Sequence, residues 1–186
     1  GFKQRDLEVI LLTDSVDDFW VTVNHQYKEK ELTSITRSGL NLDEDDKSKK
    51  SKNSDDKNKE SAAAEEKVTK FIKESLGNKV HDVVISQKLQ ESPVCLAVQE
   101  GAMDIRMERY LLGQKQLAAP SPKILEINPN HPIIDYLANN IDSANADTLA
   151  KLLYDQACII EGEFIADTAD FSKRFTEFLK LGIDKA

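Results

Sequence analysis

Few side chains in this sequence have the types and spacing that catalysis requires. Cys95 and His131 could pair as a nucleophile and a general base. Many other residue pairs are equally pairable on paper, and both Cys95 and Cys158 stand among apolar neighbours, as buried structural thiols do. A hydrolase that uses Cys95 is therefore the weakest of the functions considered.

Other patterns typical of enzymes and metal sites are missing from the sequence. The three histidines, His25, His81 and His131, fall in separate predicted elements without the spacing of metal ligands. The seven glycines are scattered, and no glycine-rich loop that could hold phosphate follows the first predicted strand. We therefore predict no catalytic residue, no metal site and no cofactor site.

The composition narrows the classes of partner. The chain has 186 residues, of which 40% are apolar, and its net charge is −8. An acidic protein is a poor general binder of nucleic acid, because phosphate binding needs clustered Lys and Arg. Apolar runs such as residues 9–12 are far shorter than the ~20 residues of a membrane helix. The acidic charge and the short apolar runs therefore predict no nucleic-acid and no membrane partner. Because two cysteines are too few for a disulfide framework, we expect a cytoplasmic protein.

A charged segment divides the chain into two parts. Residues 43–60 contain no apolar side chain; they comprise seven acids, six lysines, three serines and two asparagines. This composition predicts a charged linker or disordered loop, with a solvated helix as the alternative. Before it, residues 1–42 are predicted to form a βαβ unit. Its strands lie at 7–12 and 31–36, and its helix follows Asp14 with apolar residues at helical spacing.

The part after the linker, residues 61–186, is predicted to be a small α+β domain. Gly77 is expected to end its first helix, which begins at Ser61. The predicted strands are 79–86, 93–99 and 123–128, and the predicted helices that follow are 102–117, 132–140, 146–161 and 168–181. The fold class is therefore α+β, with a three-stranded sheet and a helical C-terminal end that Gly182 terminates.

The helix predicted at 102–117 carries two apolar stripes. One of them comprises Met103, Met107, Tyr110 and Leu111. Ile105 and Leu112 lie near the opposite side of the helix. Because one stripe is enough to face a core, the methionine stripe could be a free surface, and flexible methionines suit a surface that accepts many shapes. The alternative is that both stripes are buried.

The last two predicted helices are also amphipathic. They can pack on their own domain, or two such hairpins can form a four-helix bundle across a two-fold axis. The pattern leaves these alternatives open. The residues that would form the dimer interface are Leu149, Leu152, Leu153, Gln156, Ile160, Phe171, Phe175 and Phe178.

Several motifs occur in the order in which one known family has them. The most specific are Ser-Pro-x-Cys-Leu at 92–96 and Glu-Ile-Asn-Pro-x-His-Pro at 126–132. Weaker ones are Glu-Val-Ile-Leu-Leu-Thr-Asp at 8–14, Leu-Thr-Ser-Ile-Thr at 32–36, Met-Glu-Arg at 107–109 and Tyr-Asp-Gln-Ala at 154–157. On these motifs the chain resembles the C-terminal portion of the bacterial (HtpG) branch of the heat-shock protein 90 chaperone family.

The resemblance implies a domain assignment and a function. Residues 1–42 would end the family's middle domain, and residues 61–186 would form its C-terminal dimerisation domain. The family's site for ATP and Mg lies in an N-terminal domain, so no catalytic residue and no cofactor is carried over. The expected function is homodimerisation and the offer of apolar surface to unfolded client proteins. The alternative is a purely structural dimerisation module without client binding.

The resemblance also assigns roles to individual residues. The stripe of Met103, Met107, Tyr110 and Leu111 aligns with the family's client-binding helix, and the last two helices match its dimer bundle. The sequence ends without the Met-Glu-Glu-Val-Asp tail of eukaryotic members, so we expect no docking of tetratricopeptide co-chaperones.

Overall fold

The computed structural model describes residues 2, 5, 7–24, 26–39 and 55–183. The predictions for His25 and for residues 43–54 of the linker lie outside the described residues. In chain order the elements are α1 (Ser15–Val23), β1 (Gln26–Tyr27), β2 (Lys30–Glu31), α2 (Asp55–Leu76), β3 (Val80–Ile85), β4 (Val94–Ala97), α3 (Ile105–Gly113), β5 (Lys123–Ile127), α4 (Pro132–Asn139), α5 (Ala146–Glu161) and α6 (Thr168–Ile183).

The first part of the chain is not the predicted βαβ unit. Helix α1 is present, but the described residues 7–14 and 32–36 form no strand. Residues 26–31 instead make a short antiparallel hairpin, whose turn residues Lys28 and Glu29 have positive φ angles of 48° and 64°. Arg37 forms an isolated parallel bridge to Val98. A strand requires a neighbour for its backbone hydrogen bonds, and here the local hairpin takes the place of the predicted pairing.

Helix α2 begins at Asp55, so residues 55–60 are helical and not the disordered loop that we predicted there. Three buried side chains near its C-terminal end, Val68, Ile72 and Leu76, anchor the helix to the core. Once a helix is anchored, each added residue fixes few dihedral angles for one hydrogen bond. The Ala-, Glu- and Lys-rich turns before Val68 therefore extend it.

The predicted three-stranded sheet is confirmed, and its order is β3-β5-β4. Strand β5 runs parallel to β3 and antiparallel to β4. All five residues of β5 are buried, and this central strand has a neighbouring strand on both sides. The fold is thus α+β with a small mixed sheet.

The core lies between this sheet and the helices α2, α4 and α5. Helix α5 packs on β4 and on α2, and α4 packs on α2. The largest fully buried side chains come from α2, β4, α3, β5 and α4: Val68, Ile72, Val94, Leu96, Ile105, Leu125, Ile127, Ile134 and Leu137. No helix in the described ranges is long and apolar enough to span a membrane.

The C-terminal helix α6 packs against α5 and extends further than predicted. Gly182 lies inside the helix, which ends at Ile183. Arg174 is its one buried residue among those described, and its Nη2 donates to Asp155 Oδ2 of α5 at 2.7 Å. Asp170 pairs with the same guanidinium from one turn earlier on α6. This buried ionic contact fixes how α6 lies on α5.

Candidate functional site

The structure does not bring Cys95 and His131 together as a nucleophile and a base. Cys95 is half-buried, its Sγ lies 3.9 Å from Glu126 Oε2, and burial raises its pKa to about 12. His131 instead caps α4, where its Nδ1 accepts a hydrogen bond from the Ile133 amide at 3.2 Å. A thiol that stays protonated is a poor nucleophile, which supports a structural role for Cys95.

The methionine stripe lies on the outer side of α3. The helix is shorter than predicted, because Asp104 caps its first turn and Lys115, with a positive φ of 57°, follows its end. Met103 therefore stands in the loop before the helix rather than within it. Met103 and Tyr110 are each 43% exposed. The interpretation that both stripes are buried does not hold for these two residues.

Four other residues complete the description of α3. Met107 and Leu111 of the predicted stripe are half-buried, as is Leu112 on the other side. Ile105 is buried at 1% exposure and packs in the core cluster. The helix thus uses Ile105 as its anchor and leaves much of the opposite stripe accessible.

Helix α1 extends this apolar surface, which the sequence analysis did not anticipate. The rings of Phe19 and Tyr110 meet edge to face, with centroids 5.5 Å apart. Arg106 Nη1 donates to the Leu12 carbonyl oxygen at 2.8 Å, so the chain before α1 also contacts α3. Trp20, the next residue on α1, is 48% exposed. The signal in the sequence was the apolar periodicity of α1, which we interpreted as one side of a βαβ unit.

A buried ion pair lies under α3. Glu108 Oε2 pairs with Lys123 Nζ from β5, and both side chains are about 6% exposed. The Ser121 amide donates to Glu108 Oε1 at 2.9 Å. Burial opposes ionisation of Glu108, but the hydrogen bonds from Lys123 and Ser121 outweigh it and hold its pKa below the usual value. Glu108 therefore fixes α3 to the sheet as a charged residue.

A second polar cluster holds residues 34–38 on the edge of the sheet. Val98 donates its amide to the Thr36 carbonyl oxygen, and Ser38 donates to Val98 oxygen, both at 2.9 Å. Lys88 Nζ donates to the carbonyl oxygens of Ile35 at 2.9 Å and Arg37 at 3.1 Å. These contacts attach the first part of the chain to the α+β domain.

Lys88 is also the counter-ion of a carboxylate in the central strand. Its Nζ lies 3.3 Å from Glu126 Oε1, and the two side chains are 10% and 4% exposed. Ser86 Oγ donates to the other oxygen, Oε2, at 2.8 Å. Since a buried carboxylate is costly without such partners, the position of Lys88 is strongly constrained.

The predicted dimer residues divide into three groups. Leu149 and Leu153 are buried in the core of the chain itself, so their assignment to an exposed interface is wrong; they lie on the side of α5 that faces the core. Gln156, Ile160 and Phe175 are exposed. The half-buried members are Leu152, Phe171 and Phe178.

The structure adds further exposed apolar residues to the α5–α6 hairpin. Phe164, in the loop between the two helices, is 86% exposed. The others that carry large exposed side chains are Ile159, Leu179, Leu181 and Ile183. Phe171 and Phe175 stack with centroids 5.9 Å apart, which orders this side of α6. We use "hairpin surface" below for Gln156, Ile159, Ile160, Phe164, Phe175, Leu179 and Ile183.

Comparison with known proteins finds one family. The family model described as Hsp90 protein matches residues 1–186. The chain is 47% identical over 185 residues to the chaperone protein HtpG of Rickettsia bellii (strain OSU 85-389), and 45% identical to those of Rickettsia canadensis (strain McKiel) and Rickettsia prowazekii (strain Madrid E). Each match covers 98% of this chain and 29% or 30% of the relative. The chain thus spans about 30% of the length of these relatives.

Proposed function

This chain belongs to the heat-shock protein 90 chaperone family, and from that premise we propose that it is the C-terminal part of an HtpG-type, ATP-dependent chaperone. In this proposal, residues 1–42 end the middle domain and residues 61–186 form the dimerisation domain, while ATP and Mg bind elsewhere in the parent. The ordered motifs at 8–14, 92–96 and 126–132 support this assignment. We propose a cytoplasmic location, with a second copy and unfolded clients as partners.

The observation that carries the proposal is the hairpin surface. Its apolar side chains, among them Ile160 and Phe175, are exposed, although the Arg174–Asp155 contact fixes α6 on α5. Soluble monomers rarely expose contiguous apolar patches larger than a few hundred Å². Two hairpins that meet across a two-fold axis would bury on the order of 1,500 Å², the size of a specific interface. We therefore propose that two chains form a four-helix bundle through α5 and α6.

A second observation favours contact with clients. Met103, in the loop before α3, and Tyr110 of α3 are exposed, and Phe19 of α1 contacts the Tyr110 ring edge to face. Trp20, the next residue on α1, is also exposed. Aromatic rings and flexible methionines together suit apolar segments of variable shape. We propose that these four residues, with Met107 and Leu111, contact unfolded segments of client proteins.

Charge placed on the hairpin surface tests the proposed dimer. Phe175→Glu should give folded monomers, because a carboxylate buried without a partner costs several kcal/mol and the two-fold axis duplicates it. Lys173→Glu is the matched control, since Lys173 is exposed and nearly opposite Phe175 around α6. Sedimentation over a concentration series measures the mass of each variant. A wild-type chain that remains monomeric at high micromolar concentration would overturn the dimer proposal.

Nucleotide binding tests the assignment to the parent protein. We expect the chain to bind no ATP in calorimetric titration, because the proposal puts the nucleotide site in another domain. Stoichiometric ATP binding would instead assign the chain to the nucleotide-binding part of the family. The alternative of a purely structural dimerisation module predicts a dimer that fails to delay the aggregation of an unfolded protein.

A further inference from the structure

We infer that Asp104 is a positioning residue that holds residues 34–38 against helix α3 and thereby keeps α1 beside the proposed client surface. Its consequence for clients rests on the proposed function, whereas the attachment itself does not. We call the bonds from Asp104 to Ser34 and Thr36 the Asp104 latch.

Asp104 uses its two oxygens for different tasks. Oδ1 accepts from the Arg106 amide at 3.0 Å and caps the first turn of α3. Oδ2 accepts from Ser34 Oγ at 2.8 Å and from Thr36 Oγ1 at 2.7 Å. One carboxylate therefore joins the start of α3 to a segment 68 and 70 residues earlier in the chain.

The latch acts together with backbone contacts that would be weak alone. Residues 34–38 form a single isolated bridge to the sheet edge, between Arg37 and Val98, rather than a strand. Lys88 supports this bridge through the carbonyl oxygens of Ile35 and Arg37. Asp104 supports it through the side chains of Ser34 and Thr36. Hydrogen bonds to a charged group are roughly twice as strong as neutral ones, so the latch contributes strongly to this short attachment.

Residues 34–38 in turn limit where α1 can lie. Helix α1 is linked to them by the hairpin β1–β2, and only a few residues connect each pair of elements. With both ends of this stretch attached, at Leu12 through Arg106 and at 34–38 through Asp104, Phe19 reaches Tyr110. Release of 34–38 would free α1 from one of these attachments.

Hydrogen exchange at the Val98 amide measures the latch directly, since this amide donates to the Thr36 carbonyl oxygen. Two sets of substitutions in the full chain break the latch from opposite ends. Ser34→Ala with Thr36→Val removes both donors and leaves the α3 cap intact. Asp104→Asn keeps a side-chain oxygen for the cap, because Asn is a good N-cap residue, but removes the carboxylate that receives both hydroxyls. Lys88 is unsuitable, since its removal would leave Glu126 buried without a counter-ion.

Both sets should speed exchange at Val98 and leave exchange in the central strand β5 unchanged. Thr36→Ser, which keeps the hydroxyl, should retain wild-type protection. Combining the two sets should speed exchange no further than either alone, because they remove the same bonds. Unchanged protection of Val98 in both sets, or additive effects, would overturn the inference. Where Val98 protection falls but suppression of client aggregation does not change, the latch stands and the proposed role of α1 in client binding fails.

Discussion

Arg109 joins helix α3 to the end of helix α5: its Nη1 donates to the Glu161 carbonyl oxygen at 2.6 Å. The last carbonyl groups of a helix have no partner within it, and a cation is favourable there. The next residue, Gly162, has a φ of +71°, and a Cβ on it would lie 2.5 Å from Arg109 Nη1. One guanidinium thus connects α3, the helix that carries part of the proposed client surface, to the C-terminal end of α5.

Gly162→Ala should destabilise the chain, because it forces an L side chain into a left-handed conformation and displaces the Arg109 guanidinium. We expect a loss of at least about 1–2 kcal/mol and a melting temperature lower by roughly 2–8 °C. Gly113→Ala is the control, since Gly113 lies at the end of α3 and a Cβ there meets no atom within 4 Å. A larger effect at Gly113 than at Gly162 would contradict the geometric argument.

Glu108→Gln should be far more damaging than the same change on the surface. It leaves Lys123 buried without a counter-ion, which costs about 3–5 kcal/mol. Asp147→Asn breaks an exposed pair with Lys151 at 2.7 Å, which is worth about 0–1 kcal/mol. Urea denaturation measures both free energies of unfolding. Equal losses would show that the Glu108–Lys123 pair is not desolvated as the structure indicates.

Acid should weaken the fold partly through Asp104. Burial opposes its ionisation, but the hydrogen bonds from Thr36 and Ser34 outweigh it and lower its pKa. A lowered pKa stabilises the folded state above the unfolded carboxyl pKa of about 4, and this contribution disappears as pH falls through the folded value. The difference in melting temperature between wild type and Asp104→Asn should therefore shrink below pH 4. A difference that grows on acidification would contradict this sign.

Cys95 should react slowly with thiol reagents in the folded chain. Its pKa of about 12 reduces the thiolate fraction at neutral pH about a thousandfold relative to an ordinary thiol of pKa 9. Mass spectrometry of alkylated peptides over time measures the rate, with the denatured chain as the reference. Rapid labelling of folded Cys95 would revive the hypothesis of a nucleophile.

Met103→Ser with Met107→Ser should weaken suppression of client aggregation and change the melting temperature little, since Met103 is exposed and Met107 half-buried. Ile105→Ser is the contrasting variant, because this fully buried residue is part of the core and its truncation should cost about 2–5 kcal/mol. Light scattering of an aggregating protein gives the first quantity and calorimetry the second. A double variant as unstable as Ile105→Ser would show that the methionine stripe belongs to the core.

The sequence predicted the α+β domain well because its elements carry local signals. Helix α5 has the predicted bounds, 146–161, since its apolar periodicity stops at Gly162, whose left-handed conformation ends the helix. Residues 7–12 have the apolar character of a strand but form none in the structure. Strand pairing depends on a neighbouring strand, which the local pattern does not specify.

The sites were harder to predict because they depend on which residues of an apolar stripe face the core and which lie on the surface. Leu153 and Gln156 lie in one apolar stripe of α5, yet Leu153 is 2% exposed and Gln156 lies on the surface. Periodicity gives the width of a stripe and not the boundary between core and free surface within it. The contact between Asp104 and Ser34 joins residues 70 positions apart and leaves no trace in local sequence.

The order β3-β5-β4 determines when the sheet can form during synthesis of the chain. The strand in the middle of the sheet is the last of the three to be synthesised, so β3 and β4 wait without their partner until residues 123–127 are available. Pairing over such sequence separations slows folding, and the unpaired edges are prone to aggregate in the meantime. In this topology β3 and β4 are therefore open to pairing with other chains until β5 has been synthesised.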